Sequence, residues 1–270
     1  MTTPRLDRLS ALLEGLEPRV EALADDGAAP RQFAAAAEAL LHLHLLPRGQ
    51  ARLRVAGRAE MVVDGPALIV CRGDAAHAIE PAAGGAAAAV LSARAHLEGP
   101  VGALFLGEFA EPVVIHPGPD DASLSHVLAL IAAELGEPRC GRPALLNRAG
   151  DILFIAILRH LVANPRGPAG LFSGLADPRI ARALVALHGA PQAPWTLAGM
   201  AEAAGMSRTA FANRFREVMA TPPGKYLARL RLSIARRAVD SGLGLKRAAR
   251  DAGYGNVSAL SRALSREAGR

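Results

Sequence analysis

Between residues 39 and 116, apolar and polar side chains follow the period of a β-strand. Leu41-His42-Leu43-His44-Leu45 alternates residue by residue, and so does Ala51-Arg52-Leu53-Arg54-Val55. Such alternation puts one chemistry on each face of an extended segment. Shorter apolar runs follow at 67–70, 86–91 and 112–115, set apart by glycine and proline. No helical pattern falls between these runs, so a small antiparallel barrel or sandwich is expected rather than a βαβ sheet. Ahead of it, a short apolar pattern (Leu9, Leu12, Leu13, Leu16) gives way to polar residues.

The period then changes to that of a helix. Leu124, Val127, Leu128, Ile131 and Leu135 form one amphipathic stripe. Leu145, Leu146, Ile152, Leu153, Ala156 and Leu161 form a second, broader one. The two helices are expected to pack together and to leave one face for a homodimer. Residues 164–174, with two prolines and three glycines, read as a linker. The division predicted is a sensing and pairing domain at 1–163, a linker at 164–174 and a second domain at 175–270.

Beyond the linker the pattern repeats. Leu197-x-x-Met200-Ala201-x-x-Ala204-Gly205-Met206 returns as Leu245-x-x-Ala248-Ala249-x-x-Ala252-Gly253-Tyr254, 48 positions later. Ser207, Phe211 and Phe215 return as Asn256, Leu260 and Leu264 at an offset of 49, so the second turn is longer by one residue. Each copy reads as a helix, a glycine turn and an N-capped helix, at about 197–219 and 245–268. Alanine lets two helices cross closely, glycine accepts a positive φ, and Ser207 or Asn256 caps the helix that follows. Between the copies, Thr221-Pro222-Pro223 starts one long helix carrying Leu227, Leu230, Ile234 and Ala238. Two helix-turn-helix units on a rigid spacer can set two recognition helices into successive major-groove turns.

Charge agrees with that reading. The net charge is +6, yet sixteen of the 31 basic and six of the 25 acidic residues lie in 175–270. That third therefore carries +10 and the remainder −4, so only the C-terminal part is suited to a polyanion. The polar start of the chain has no apolar signal core, and the most apolar stretch, at 152–158, is far short of the ~20 residues of a membrane span. A cytoplasmic protein with no membrane partner is expected. Two cysteines are too few for a disulfide scaffold or a four-cysteine zinc site.

The C-terminal region resembles the AraC/XylS family of transcription regulators. The resemblance rests on Trp195-Thr196-Leu197, Ala204-Gly205-Met206-Ser207, the stretch from Phe211 to Phe215, Pro223-x-x-Tyr226-Leu227-x-x-Leu230-Arg231-Leu232-x-x-Ala235 and Gly253-Tyr254. The sequence departs from the family at Ala220, where a glycine is usual, and at Leu264, where a phenylalanine is usual. It also ends at Arg270, before the family's final Gly-x-x-Pro-x-x-Tyr turn. The resemblance implies double-stranded operator DNA as partner, with RNA polymerase as a second partner if the protein activates. Ser207 and Asn256 would cap the recognition helices. Thr209, Ala212 and Asn213 would face base edges from the first, and Val257, Ser258, Ser261 and Arg262 from the second. Asn213 suits adenine and Arg262 suits guanine, whereas Arg208, Arg214 and Arg266 are expected on phosphates. Trp195 and Tyr226 are expected to anchor the domain rather than to read bases.

The N-terminal half resembles the cupin-type domains that precede this module in one branch of the family. Leu43-His44-Leu45-Leu46-x-x-Gly49, Asp64-Gly65-Pro66-x-Leu68-Ile69-Val70 and Arg72-Gly73-Asp74-Ala75-Ala76-His77 carry it. Arg72 stands where the branch often has a histidine. The implied fold is α+β and multidomain: a cupin-like β-barrel with two dimerisation helices, then an all-α tandem helix-turn-helix domain. Cupin metal sites take His-x-His from one strand, a Glu soon after and a later His. His42, His44 and His77 fill three of those positions, and Arg48-Gly49 replaces the Glu. No cofactor is required, and zinc would suit three neutral histidines. An effector of unknown identity is expected near His44, Cys71 and His77. Metal, organic ligand and oxidation of Cys71 or of Cys140, which has Arg139 and Arg142 for neighbours, remain alternative signals. The rival function is a cupin-type metalloenzyme with a DNA-binding tail, against which the missing Glu argues.

Overall fold

In the computed structural model the described residues are 6–23, 30–82, 90–118, 121–136 and 139–268. The N-terminal elements are α1 (Ser10–Leu16), β1 (Pro18–Ala22), β2 (Arg31–Phe33), β3 (Leu40–Leu46), β4 (Gln50–Val55), β5 (Met61–Asp64), β6 (Ala67–Arg72), β7 (His77–Pro81) and β8 (Leu91–Leu97). Next come α2 (Gly102–Phe105), a 3₁₀ turn (Leu106–Phe109), β9 (Val113–Ile115), α3 (Ala122–Gly136) and α4 (Arg142–Ala163). The rest is helical: α5 (Leu171–Ala176), α6 (Pro178–Gly189), α7 (Leu197–Ala204), α8 (Arg208–Met219), α9 (Pro223–Asp240), α10 (Leu245–Asp251) and α11 (Val257–Ala268).

The strands make two antiparallel sheets, ordered β1-β8-β3-β6-β9 and β2-β7-β4-β5. Alternation decides what each face meets. The inward residues Leu46, Ile69, Leu53, Val55 and Ile79 join Phe33 in one buried cluster. On the other face of the five-stranded sheet, Leu43, Leu45 and Leu68 share an apolar crevice with Ile131 of α3 and with Leu146 and Leu153 of α4. Both faces of β3 are thus covered, and every residue of it is buried.

The helix α4 also closes the sheet edge. Asp151 Oδ1 accepts the Val20 amide at 2.9 Å and Asn147 Oδ1 accepts the Ala22 amide at 3.0 Å. These side chains satisfy edge groups that would otherwise invite pairing with another strand. Between them lies Gly150, where a Cβ would be 2.5 Å from Val20 Cγ1. A glycine inside a helix costs stability relative to alanine, and here it is what lets helix and strand approach.

The structure departs from the sequence reading in several places. β1 falls in a stretch read as polar and β2 in one left unassigned, because each is short and buries only one residue, Val20 or Phe33. The segment 102–109 is helical although it lies inside the span read as β. Of the apolar run at 86–91, residues 86–89 lie outside the described residues, and Leu91 opens β8. The side chain of Leu135 is likewise outside them. The linker is shorter than expected, because α5 occupies its end with Leu171 and Phe172 buried.

The domain division also differs. One compact unit is Pro18–Glu98 with Phe109–His160, and the other is Met1–Glu17, Gly99–Glu108 and Leu161–Arg270. Hydrogen bonds account for the two early segments that join the helical unit. Arg8 Nη1 donates to the Leu175 carbonyl at 2.9 Å, and Ser233 Oγ donates to the Pro100 carbonyl at 2.7 Å. Glu108 Oε2 accepts the Leu171 amide at 2.9 Å. The chain therefore passes between the two compact units four times.

Both helix-turn-helix units have the expected bounds. Gly205 and Gly253 adopt φ of 65° and 77°, and so does Ala220 with φ 53°. An L-residue in that region carries a steric cost of roughly 1–2 kcal/mol, which glycine avoids while losing ~0.5–1 kcal/mol in chain entropy. Ala220→Gly is therefore expected to raise stability by about 0.5–1 kcal/mol, read as a higher denaturation midpoint. An unchanged or lower midpoint contradicts this account of the turn.

Within the helical unit His188 is half-buried, with Nε2 2.7 Å from the Tyr226 hydroxyl. Burial pushes its pKa down to about 4. Above pH 6.5 it is neutral whether folded or unfolded; between 6.5 and 4 only the unfolded chain takes the proton. Stability should fall as pH drops through that window, by about 3 kcal/mol at its lower end. His188→Gln should remove that part of the pH dependence, measured by denaturation at each pH.

Candidate nucleic-acid interface and barrel histidine cluster

The recognition helices begin where their caps dictate. Ser207 Oγ accepts the Ala210 amide at 3.3 Å, and Asn256 Oδ1 accepts the Ala259 amide at 2.8 Å. Each cap satisfies one of the free amides of a helix start. Apolar residues then fasten one side of each helix: Phe211, Phe215 and Val218 in α8, and Leu260 with Leu264 in α11. The opposite sides are open. Arg208, Thr209 and Asn213 are exposed on α8, with Ala212 half-buried. On α11, Ser258, Arg262 and Arg266 are exposed four residues apart on one face, with Val257 and Ser261 half-buried beside them.

Arg214 is placed differently from the other arginines. Its Nε donates to Asp177 Oδ2 at 2.7 Å and its Nη1 lies 2.9 Å from Glu217 Oε1. Asp177 also caps α6 through the Arg179 and Ile180 amides. Burial acts against the Asp177 carboxylate, but those amides and Arg214 outweigh it and hold its pKa low. Arg214 is thus engaged in a pairing with a residue 37 positions away, although its side chain stays partly exposed. The sequence reading passed over Arg216, which is exposed and continues the face of Thr209 and Asn213 at the next helical turn. Its spacing of seven from Thr209 was the available signal.

Two arginine bonds tie this surface together. Arg231, in the middle of α9, donates from Nε to the Pro191 carbonyl at 2.8 Å and from Nη2 to the Ala193 carbonyl at 2.6 Å. Trp195 Nε1 donates to the Ala190 carbonyl at 2.8 Å, an anchoring role, and Tyr226 is buried. Gly253 of the second turn packs so close to this loop that a Cβ would be 2.7 Å from Gln192 Cα.

In the barrel unit, His42, His44 and His77 are all buried around Phe33, with ring centroids 4.7 to 4.8 Å from its own. His44 Nε2 is 3.0 Å from His77 Nε2, and His44 Nδ1 is 2.9 Å from Ser92 Oγ. His77 Nδ1 donates to the Ala75 carbonyl at 2.9 Å. Burial lowers all three imidazoles, His42 to about 4 and His44 well below its usual value, so they are neutral. The expected trio of donors is revised. Among the described residues the converging set is His44, Cys71 and His77, whose donor atoms all lie within 4.8 Å of one another. His42 pairs across the sheet with Cys71 but stands outside that set, and its buried Nδ1 has no hydrogen-bond partner. Arg72, in the place of a family histidine, is spent on Asp74.

The thiols differ. Burial pushes Cys71 up to about 12, far from the thiolate that oxidants attack. Cys140 is exposed.

Comparison with known proteins follows the same two parts. The cupin family profile matches residues 7–163, and a helix-turn-helix domain profile matches residues 200–270. The chain is 35% identical over 162 residues to a protein of Streptomyces lividans named as an AraC-like transcription regulator, covering 58% of this chain and 53% of that protein. It is 28% identical over 184 residues to the HTH-type transcriptional regulator AlkR of Acinetobacter baylyi, covering 66% of this chain and 60% of that one. The chain spans about half the length of the curated relatives it matches. The DNA-binding domain of AdpA, solved in complex with a target DNA, is 26% identical and covers 34% of this chain and 84% of its own, at a TM-score of 0.32. With a cupin match over more than half of its length, the chain belongs to that cupin family; a helix-turn-helix domain match lies behind it, and the chain is similar to proteins named as AraC-like transcription regulators.

Proposed function

We propose that the protein is a cytoplasmic, sequence-specific transcription regulator that reads operator DNA with α8 and α11 and takes its signal in the barrel. The observation that carries this is the pair of capped helices with exposed polar faces, in a region of net charge +10. Asn213 and Arg262 are the strongest base readers, and Arg208, Arg216 and Arg266 contact phosphates. Arg214 belongs to the framework through Asp177. No helix among the described residues is long and apolar enough to cross a membrane, in keeping with a DNA partner.

Two further features support the regulatory part. A cavity of about 570 Å³, lined by Gln32, Phe33, Glu38, His42, Arg94 and His96, gives the barrel room for a small polar effector. Exposed Leu130 on α3 and Ile152 on α4, on sides not committed to the sheet, suit a homodimer contact. An isologous pair doubles the DNA footprint. Sedimentation of the full chain should show a dimer at micromolar concentration that Ile152→Glu dissociates; a monomer under those conditions removes the dimer from this reading.

The DNA-reading part is tested on a duplex selected from a random pool. Arg262→Ala is expected to weaken binding by ~1–3 kcal/mol and to relax preference at one base pair. Arg266→Ala should instead weaken all sequences alike and reduce the salt slope by about one. If Arg262→Ala changes neither affinity nor base preference, α11 is not a reader.

A further inference from the structure

The barrel interior holds two imidazoles and a thiol that the fold does not need there. An apolar trio would pack the same space without burying polar atoms. Their donor atoms converge within 4.8 Å, and the two Nε2 atoms are already 3.0 Å apart. Zinc-ligand bonds of 2.0–2.1 Å to nitrogen and 2.3 Å to sulfur, in tetrahedral geometry, put donors roughly 3.3–3.6 Å from one another. The cluster therefore needs only small side-chain adjustments to reach that spacing.

The hydrogen bonds around the cluster set the tautomers. A carbonyl can only accept, so His77 Nδ1 carries the proton for Ala75, and its Nε2 presents a lone pair to the cluster. This is the outer-shell arrangement that orients a metal-bound histidine. His44 Nδ1 faces a hydroxyl, which can donate or accept. Without a cation, Ser92 donates to Nδ1 and His44 Nε2–H donates to His77. With a cation, Ser92 accepts from Nδ1–H and both Nε2 lone pairs turn to the ion. Ser92 thus lets the same buried ring serve both states. Beside the cluster, His42 lines the 570 Å³ cavity through which an ion can arrive, and its buried Nδ1 has no hydrogen-bond partner.

We propose that His44 Nε2, Cys71 Sγ and His77 Nε2 bind one zinc-class divalent cation, with the fourth position left to water. The ion binds as Cys71 gives up its thiol proton to solvent, and no oxidant or reductant is involved. This set differs from the His-x-His, Glu and His arrangement of cupin metal sites in taking a thiolate from β6 where the carboxylate is missing. It deepens the reading of the barrel as the sensing element and rests on it: the cation is the signal, or the bound state that a signal reads.

Cobalt(II) is the probe, titrated into the full chain after chelator treatment. One equivalent should bind and give a thiolate-to-cobalt charge-transfer band with intense tetrahedral visible bands, all displaced by zinc. Cys71→Ser should remove the charge-transfer band and weaken binding at least tenfold. His77→Gln should weaken it as much, and Cys140→Ser should change nothing. Thermal melts of the variants verify folding. Absence of stoichiometric binding overturns the proposal, as does a charge-transfer band that survives in folded Cys71→Ser. Operator affinity on the same samples keeps the two readings apart. A chain that binds DNA but no cobalt loses only the metal site, and one that binds cobalt but no DNA loses only the regulator.

Discussion

The helical unit depends on Arg231. It stands halfway along α9, and its two bonds hold the loop that leads into α7. The same loop is the surface against which Gly253 of the second turn packs. One guanidinium therefore joins the entrance of the first helix-turn-helix, the spacer helix and the turn of the second. Hydrogen bonds from a charged donor are worth more than neutral ones, and both acceptors are loop carbonyls. The core behind the second unit is small, built on Ala235, Ala248, Ala249, Ala252 and Leu260. Such a core cannot set an orientation by bulk, so the close approach at Gly253 and the bonds of Arg231 supply the definition. Rigid spacing between two recognition helices is what turns two weak readers into one site of defined length.

The barrel unit rests on a different constraint. β3 is covered on both faces, so the residues of its inner face are out of water whether or not they are apolar. Leu46 follows the expected pattern. His42 and His44 break it, and burial then holds them neutral. Neutral imidazoles near a buried thiol are ready ligands and poor charge sensors, which favours chemistry by coordination over chemistry by oxidation. The chain crosses between the two units four times rather than once. A change inside the barrel has several covalent routes into the DNA-binding unit, by way of α1, the 99–108 segment and α4.

The sequence made the tandem repeat readable because its signals are local. Glycine turns, Ser207 and Asn256 caps and the apolar spacing of Phe211 and Phe215 need no partner elsewhere in the chain to be recognised. Strand alternation exposed β3 and β4, and short apolar runs between glycine and proline exposed β6 and β9, for the same reason. What stayed hidden was non-local. β1 and β2 are too short for periodicity, and their stability comes from β8, β7 and the Asn147 and Asp151 caps. The bond of Arg214 to Asp177 spans 37 residues. Cys71 enters the histidine cluster through the β3–β6 register, which sets it opposite His42 and diagonal to His44. Sequence spacing alone grouped the three histidines instead.

The central claim is that α9 presents α8 and α11 to DNA at one fixed separation. The most direct measurement is affinity for duplexes in which the two half-motifs of a selected site are moved apart base pair by base pair. The account predicts a sharp optimum near one helical turn, about 10 base pairs centre to centre, with steep loss two base pairs either side. Affinity that is flat across these spacings, or a selected site with a single motif, would contradict it.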